Sequence, residues 1–230
     1  MQTTVIISSF LRGDALALTL SALLNLPNKD FKIMVVDDSG VDRPIPDCFN
    51  NPRVTVHRLP FDTGLSRKRN FGMVMCDTPY VFLLDDDVTV NLLDLDQLIN
   101  ELGDFDFLCP ANGLKASIFY GEDGYYWTET SHGEKDGKPL YHFVENYLFG
   151  KTQTFLDRPW CEELHCGEHL PWAYMAFANR VNITTSEAIQ CVNRATPGSD
   201  LYKALRWRAE FFRKDWFQRN TEQIDLPRRA

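Results

Sequence analysis

The apolar residues of this 230-residue chain fall into short runs that alternate with amphipathic stretches through the first hundred positions. Residues 4–9, 31–36, 54–59, 80–84 and 105–108 are rich in β-branched, aromatic and aliphatic side chains and read as strands. Leu16, Leu20, Leu23 and Leu24 recur at helical spacing behind Asp14, a residue suited to cap a helix. Residues 66–75 read as a helix entered through Gly64, and residues 92–102 as a helix with apolar positions at 92, 95, 98, 99 and 102. Strands alternating with helices predict an α/β fold with a mostly parallel, twisted, doubly wound sheet flanked by helices.

Beyond residue 110 the pattern changes. Residues 113–160 are rich in glycine, aromatic and charged residues, with turn signals at Gly121–Gly124 and from Gly133 to Lys138. They predict a smaller region of hairpins and loops, the kind of element that shapes an acceptor pocket. Residues 169–179 read as a helix and 182–192 as mixed strand and loop. Residues 201–220 form a basic, aromatic amphipathic helix with six basic side chains against Glu210 and Asp215. Such a helix docks on the sheet or lies on an anionic membrane surface.

Length and composition predict one domain over 1–230. Its parts are a nucleotide-binding half (1–109), an acceptor and catalytic half (110–200) and the C-terminal helix (201–230). With 44% hydrophobic and 13% aromatic residues the chain can fill a core. A net charge of −8 and a pI near 5.1 argue against nucleic acid as a partner, and an anionic substrate then needs a local basic site or a metal. The six cysteines are scattered without CxxC spacing, which favours reduced thiols over a zinc site or a disulfide framework. Met1 to Thr4 run straight into the first strand, so no signal peptide is expected, and no apolar stretch reaches 18 residues. A cytoplasmic protein is the expectation, with the tail as its possible peripheral contact with a membrane.

The candidate chemistry lies at strand ends. Asp85, Asp86 and Asp87 stand directly behind the apolar run Tyr80 to Leu84, where a buried strand would not normally carry three negative charges. The plain reading is a solvated acidic loop. The chemical reading is a hard cation, Mn²⁺ or Mg²⁺, held by carboxylates and substrate phosphates at the carboxyl end of a strand. Asp37 and Asp38 end a second buried strand on the same edge. Between the two lies Gly64 followed by Arg67, Lys68 and Arg69, a basic helix start of the sort that binds phosphate. Alone it reads as a solvated helix face; together the three segments describe a pocket for a nucleoside diphosphate with its cation.

The ordered set Val5 to Arg12, Val35 to Ser39, Gly64 to Asn70 and Leu84 to Asp87 resembles the GT-A fold glycosyltransferases of family 2, an inverting family. Phe10-Leu11-Arg12 and the string His165 to His169 resemble, more narrowly, the ganglioside-type β1,4-N-acetylgalactosaminyltransferases. The resemblance implies transfer of a sugar from a nucleotide-sugar, most often a UDP-sugar, to a hydroxyl of a glycan or glycolipid acceptor. It implies that Asp37 or Asp38 holds the base, that Ser8, Phe10 and Arg12 line the same pocket, and that Gly64 and Arg69 face the diphosphate. Asp85 and Asp87 match the DxD pair that reaches the metal and the donor, and Asp86 can stand in either role because three adjacent aspartates leave the register open.

Loss of a nucleoside diphosphate puts negative charge on the leaving oxygen, which a cation stabilises, and inversion needs a base on the acceptor side. The family places Glu-Asp where this chain has Glu168-His169, so either residue can be the base. Two alternatives remain. A sugar-nucleotide nucleotidyltransferase would carry a glycine-rich loop after the first strand, but residues 8–14 hold only Gly13. A non-catalytic nucleotide- or sugar-binding module of a glycan-assembly protein is disfavoured by carboxylates at both strand ends.

Overall fold

The computed structural model describes residues 1–40, 50–121, 124–144, 147–165, 169–194 and 199–205. The first half runs β1 (Thr3–Ser9), α1 (Gly13–Asn25), β2 (Phe31–Asp37), β3 (Val54–Arg58), α2 (Leu65–Met75), β4 (Tyr80–Asp85), β5 (Val88–Leu93), α3 (Leu95–Leu102) and β6 (Phe107–Pro110). Then follow β7 (Lys115–Gly121), β8 (Gly124–Thr128), β9 (Gly133–Lys135), β10 (Lys138–Leu140), β11 (Phe143–Val144), β12 (Leu148–Lys151), α4 (Thr152–Leu156), α5 (His169–Ala178), β13 (Ile183–Ser186) and β14 (Ile189–Asn193).

Seven strands form the central sheet in the order β13-β6-β12-β4-β1-β2-β3. β1 pairs in parallel with β2 and β4, β2 with β3, and β6 with β13, while β12 is antiparallel to both its neighbours. The sheet is buried on both faces, which is why its central strands are nearly all apolar. Strand alternation divides their side chains between two cores. Val5, Ile7, Val35, Phe82 and Leu84 pack with Leu16, Leu20 and Leu23 of α1 and Leu95, Leu98 and Leu102 of α3. Ile6, Val36, Val81 and Leu83 pack with Met73 of α2, Phe155 of α4 and Trp172 of α5. Each such aliphatic side chain contributes about 1.5–3 kcal/mol on burial. Gly72 lets α2 lie close on the sheet, since a Cβ there would come within 2.8 Å of the Ile6 side chain.

Three local expectations change. Asp14 lies in the first turn of α1, and Arg12 is the N-cap residue, without a side-chain cap bond. Residues 92–102 are not one helix. Val88 to Leu93 form β5, paired antiparallel with β14, and Asp94 then caps α3 by accepting from the Gln97 N–H at 3.1 Å. The β-branched Val88, Thr89 and Val90 favour the strand, and Asp94 separates the two elements. The region read as hairpins and loops does hold the β11-β7-β8 sheet and the β9-β10 hairpin, but its β12 enters the central sheet between β6 and β4. Gly150 permits that insertion, because a Cβ there would meet the Phe107 ring at 2.6 Å. Of the C-terminal helix, residues 200–205 are helical, and the rest lies outside the described residues. Among the described residues no helix is long and apolar enough to cross a membrane.

Candidate functional site

Parallel pairing brings the carboxyl ends of β1, β2 and β4 to one edge. The register sets Ser8 beside Asp85 and Ser9 beside Asp37. β1 therefore delivers Phe10 and Arg12 between the two acidic strand ends, where open α/β sheets bind ligands. Leu11 takes a positive φ of 56°, and Asp62 across the site does the same. Left-handed non-glycine residues cost energy and cluster at functional sites. The Leu11 N–H donates to Ser39 Oγ at 2.7 Å, which pins the turn that points Arg12 across the edge.

At the β2 end each carboxylate has a cation of its own. Arg58, the cross-strand neighbour of Asp37, pairs with it at 2.8 Å, and Ser39 Oγ donates to Asp37 at 2.5 Å. Asp38 is buried, takes Lys68 Nζ at 2.6 Å and accepts the Gly64 N–H at 2.9 Å. Lys68 Nζ also donates to the Ser9 carbonyl at 2.8 Å and lies 5.4 Å from the Phe10 ring centroid. Gly64 adopts φ +99°, and a Cβ on it would stand 3.1 Å from His165. The Leu65 N–H donates to the His165 carbonyl at 2.7 Å, so the start of the His165–His169 string is fastened to the start of α2.

Of the three cations at the head of α2, two are not solvated. Lys68 and Arg69 are buried, while Arg67 faces outward toward Glu162 at 3.8 Å. The Arg69 guanidinium lies 3.0 Å from Asp85 Oδ1 and over the Trp160 ring at 5.4 Å. The structure thus places Arg69 beneath Asp85, in contact with the acidic cluster.

At the β4 end the pairing is sparser. Arg12 reaches Asp86 with one guanidinium nitrogen and Asp87 Oδ2 with another, the latter at 2.7 Å. Among the described residues it is the cation in ion-pair contact with both carboxylates, so two negative groups share one guanidinium at contact distance, with the Arg194 charge acting on both from further off. Asp86 is fully buried and faces inward, 3.4 Å from the Phe10 N–H; the Asp85 and Asp87 side chains keep 13% and 9% of their exposure. Burial pushes the Asp86 carboxyl up to about 6; Arg12 opposes this, and Asp87 and Asp85 add to it. Burial also disfavours the Arg12 charge, but Asp86, Tyr202 and Asp87 outweigh it and hold the guanidinium above its ordinary range.

The acidic turn is fixed from behind by Arg194. Its backbone N–H donates to the Asp87 carbonyl at 2.9 Å. Its guanidinium donates to Ala15 O at 2.8 Å, Thr19 Oγ1 at 2.8 Å, Thr89 Oγ1 at 2.6 Å and Asp86 O at 3.5 Å. Thr19 Oγ1 in turn donates to Asp86 O at 2.7 Å. The rim is aromatic, with Phe61 5.5 Å and Tyr202 6.3 Å from Phe10, and Tyr202 lies 5.0 Å from the Arg12 guanidinium.

The structure therefore brings together Ser8, Phe10, Arg12, Asp37, Asp38, Gly64, Arg69, Asp85, Asp86 and Asp87. The buried Ser8 hydroxyl has no hydrogen-bond partner among the described residues. Glu168 lies outside the described residues, and His169 opens α5 with its side chain undescribed. Sequence reasoning missed Arg58, Arg194, Phe61 and Tyr202. Their partners at the site lie far away along the chain, as Arg58 lies from Asp37 and Tyr202 from Phe10, and no local pattern marks such pairs.

Carboxylates suit a hard cation, and Asp85 and Asp87 present two with residual access. Among the described residues no three His, Cys, Asp or Glu groups converge to hold a metal by themselves. The set thus fits a cation whose remaining ligands are phosphate and water, and does not fit a closed protein cage.

Residues 4–161 match the model of the family described as Glycosyl transferase family 2, which spans β1 through α4 and takes in both acidic strand ends. The chain belongs to that family. Among solved structures, S. aureus TarS is similar over 99% of this chain, with a TM-score of 0.63 and 18% identity. Its residues 1–349 in complex with UDP give a TM-score of 0.59 over 81% of this chain, again at 18% identity. At that identity the likeness carries the fold, which is the GT-A arrangement of this family. The chain spans 41% of the TarS chain and 58% of the shorter one. No curated protein matches it.

Proposed function

We propose that this family 2 domain is a metal-dependent, inverting glycosyltransferase that moves a sugar from a nucleotide-sugar, in first place a UDP-sugar, to a hydroxyl of a glycan or glycolipid. The observation that carries the reading is the β4 end, where two adjacent carboxylates share one guanidinium at the edge that binds ligands in open α/β sheets. The UDP complex of TarS, on the same fold, supports UDP as the leaving group.

In this reading Asp37 and Asp38, fixed by Arg58 and Lys68, form the base side of the pocket, with Phe10 as its apolar wall. The Ser8 hydroxyl, without a hydrogen-bond partner among the described residues, offers a polar contact beneath it. Asp85 and Asp87 would hold Mn²⁺ or Mg²⁺, which when bound offsets the charge developing on the diphosphate. Arg69 holds the Asp85 carboxylate in place from below. Removal of the acceptor proton falls to Glu168 or His169, with the His165 end of that string already fastened to α2. Release of UDP from a panel of UDP-sugars, followed with and without Mn²⁺, tests the reading. Turnover that needs both a particular UDP-sugar and Mn²⁺ supports it. A chain that binds UDP and never turns over a donor is a binding module, and one that makes a UDP-sugar from UTP is a nucleotidyltransferase. Within the panel, UDP-N-acetylgalactosamine tests the narrower ganglioside-type resemblance.

A further inference from the structure

Arg12 is held in place more tightly than a residue waiting for substrate needs to be. Its backbone is pinned by the Leu11 bond to Ser39, and its carbonyl accepts the Leu16 N–H at 3.0 Å to start α1. Its guanidinium spans the inward Asp86 and the outward Asp87, with the Tyr202 ring 5.0 Å away. Asp87 belongs to the pair read above as the metal's, so a divalent cation and Arg12 compete for the same carboxylate, which Arg12 holds through Oδ2.

We infer that Arg12 is a resident counter-ion of the metal subsite, occupying Asp87 until a cation arrives together with a diphosphate. A bare cation at Asp87 would meet a positive guanidinium in contact with its own ligand, and displacing it would leave Arg12 without its outer partner. A cation that brings phosphates supplies a new anion for the freed end of the guanidinium, while Asp86, buried and internal, keeps the other end. Binding of metal and of nucleoside diphosphate is therefore cooperative, and the coupling is reciprocal. The inference rests on the metal-dependent reading above and adds an order to it: neither ligand binds well alone. Tyr202 gives the tail a part in this, since its ring stabilises the guanidinium in its resting position.

The test is calorimetric titration of Mn²⁺ into the full chain, without nucleotide and at saturating UDP. Because Arg12→Met leaves the buried Asp86 unpaired, the double variant R12M/D86N, which removes both charges, is measured beside it, and thermal melts check folding. For the wild type, Mn²⁺ should bind about tenfold or more tightly with UDP than without, within the usual range of coupling between sites. In the folded variant Mn²⁺ alone should bind about tenfold more tightly than to the wild type and gain little from UDP, so the coupling shrinks toward one. An unchanged Mn²⁺ affinity in the folded double variant, with Mn²⁺-dependent UDP binding intact in the wild type, overturns the inference and leaves the metal reading standing. Equal UDP affinity of the wild type in EDTA and in Mn²⁺ removes both.

Discussion

The ends of β2 and β4 are chemically alike in sequence and unlike in structure. Both are acidic, both end buried strands, and both lie beside the end of β1. At β2, Asp37 and Asp38 each have a cation, and Asp38 also receives a backbone N–H. At β4, Asp86 and Asp87 divide Arg12 between them, and Asp86 is buried deeply enough that its ionisation is opposed. The first end is electrically closed and fit to shape a pocket. The second rests two carboxylates on one contacting guanidinium, with Arg194 acting on both from behind, and Asp87 keeps access to solvent, which suits it to take a cation. An acidic strand end is thus not in itself a metal site; the balance of partners around it decides.

That contrast is broken most sharply by truncating one carboxylate at each end. Asp38→Ala leaves the Lys68 ammonium buried without its partner and should destabilise the fold by about 3–5 kcal/mol in urea melts. Asp87→Ala relieves crowding among like charges and should cost far less stability. It should instead weaken Mn²⁺-dependent UDP binding by about 2 kcal/mol, the scale of a charge-assisted contact. Equal stability losses in the two variants would erase the distinction between the ends.

Arg194 offers a smaller test. Its guanidinium holds the chain behind the acidic turn by way of Ala15, Thr19 and Thr89. Arg194→Met should lower stability by about 1–3 kcal/mol, with Lys recovering part, because a single ammonium cannot reproduce the fork of donors. Metal-dependent UDP binding should weaken in step, since the turn that presents Asp87 is loosened.

The subtlest test is titration. The Asp86 carboxyl is raised from its ordinary 3.8 to about 6, so the folded chain holds its proton more tightly than the unfolded chain. Its contribution to stability is fully present below pH 4 and is lost as pH rises toward 6. In EDTA, Asp86→Asn should remove that loss and flatten the stability profile across this window. A profile identical to the wild type's would show that Asp86 ionises as freely as an exposed carboxylate.

Much of the frame was legible because buried parallel strands read as apolar runs, and β1, β2 and β4 are such runs. Gly64 announced α2 because a positive φ there favours glycine. β5 was hidden because a single residue, Asp94, separates it from α3. β12 was hidden because four residues without period-2 alternation become a strand only when β4 and β6 flank them. The acids of the site were visible as strand ends, but their partners were not. Whether Lys68 and Arg69 face water or carboxylate is decided by which side of α2 meets the sheet. That Arg194 returns to the turn after β4 and Tyr202 to the end of β1 is a matter of tertiary topology, which local pattern does not encode.

The central claim is that the β4 end takes a divalent cation together with a nucleoside diphosphate. Calorimetric titration of UDP into the wild-type chain, once in Mn²⁺ and once in EDTA, tests it most directly. The account predicts binding in Mn²⁺ that falls by about tenfold or more in EDTA, the scale of one lost charge-assisted contact. Equal affinity under the two conditions would contradict it.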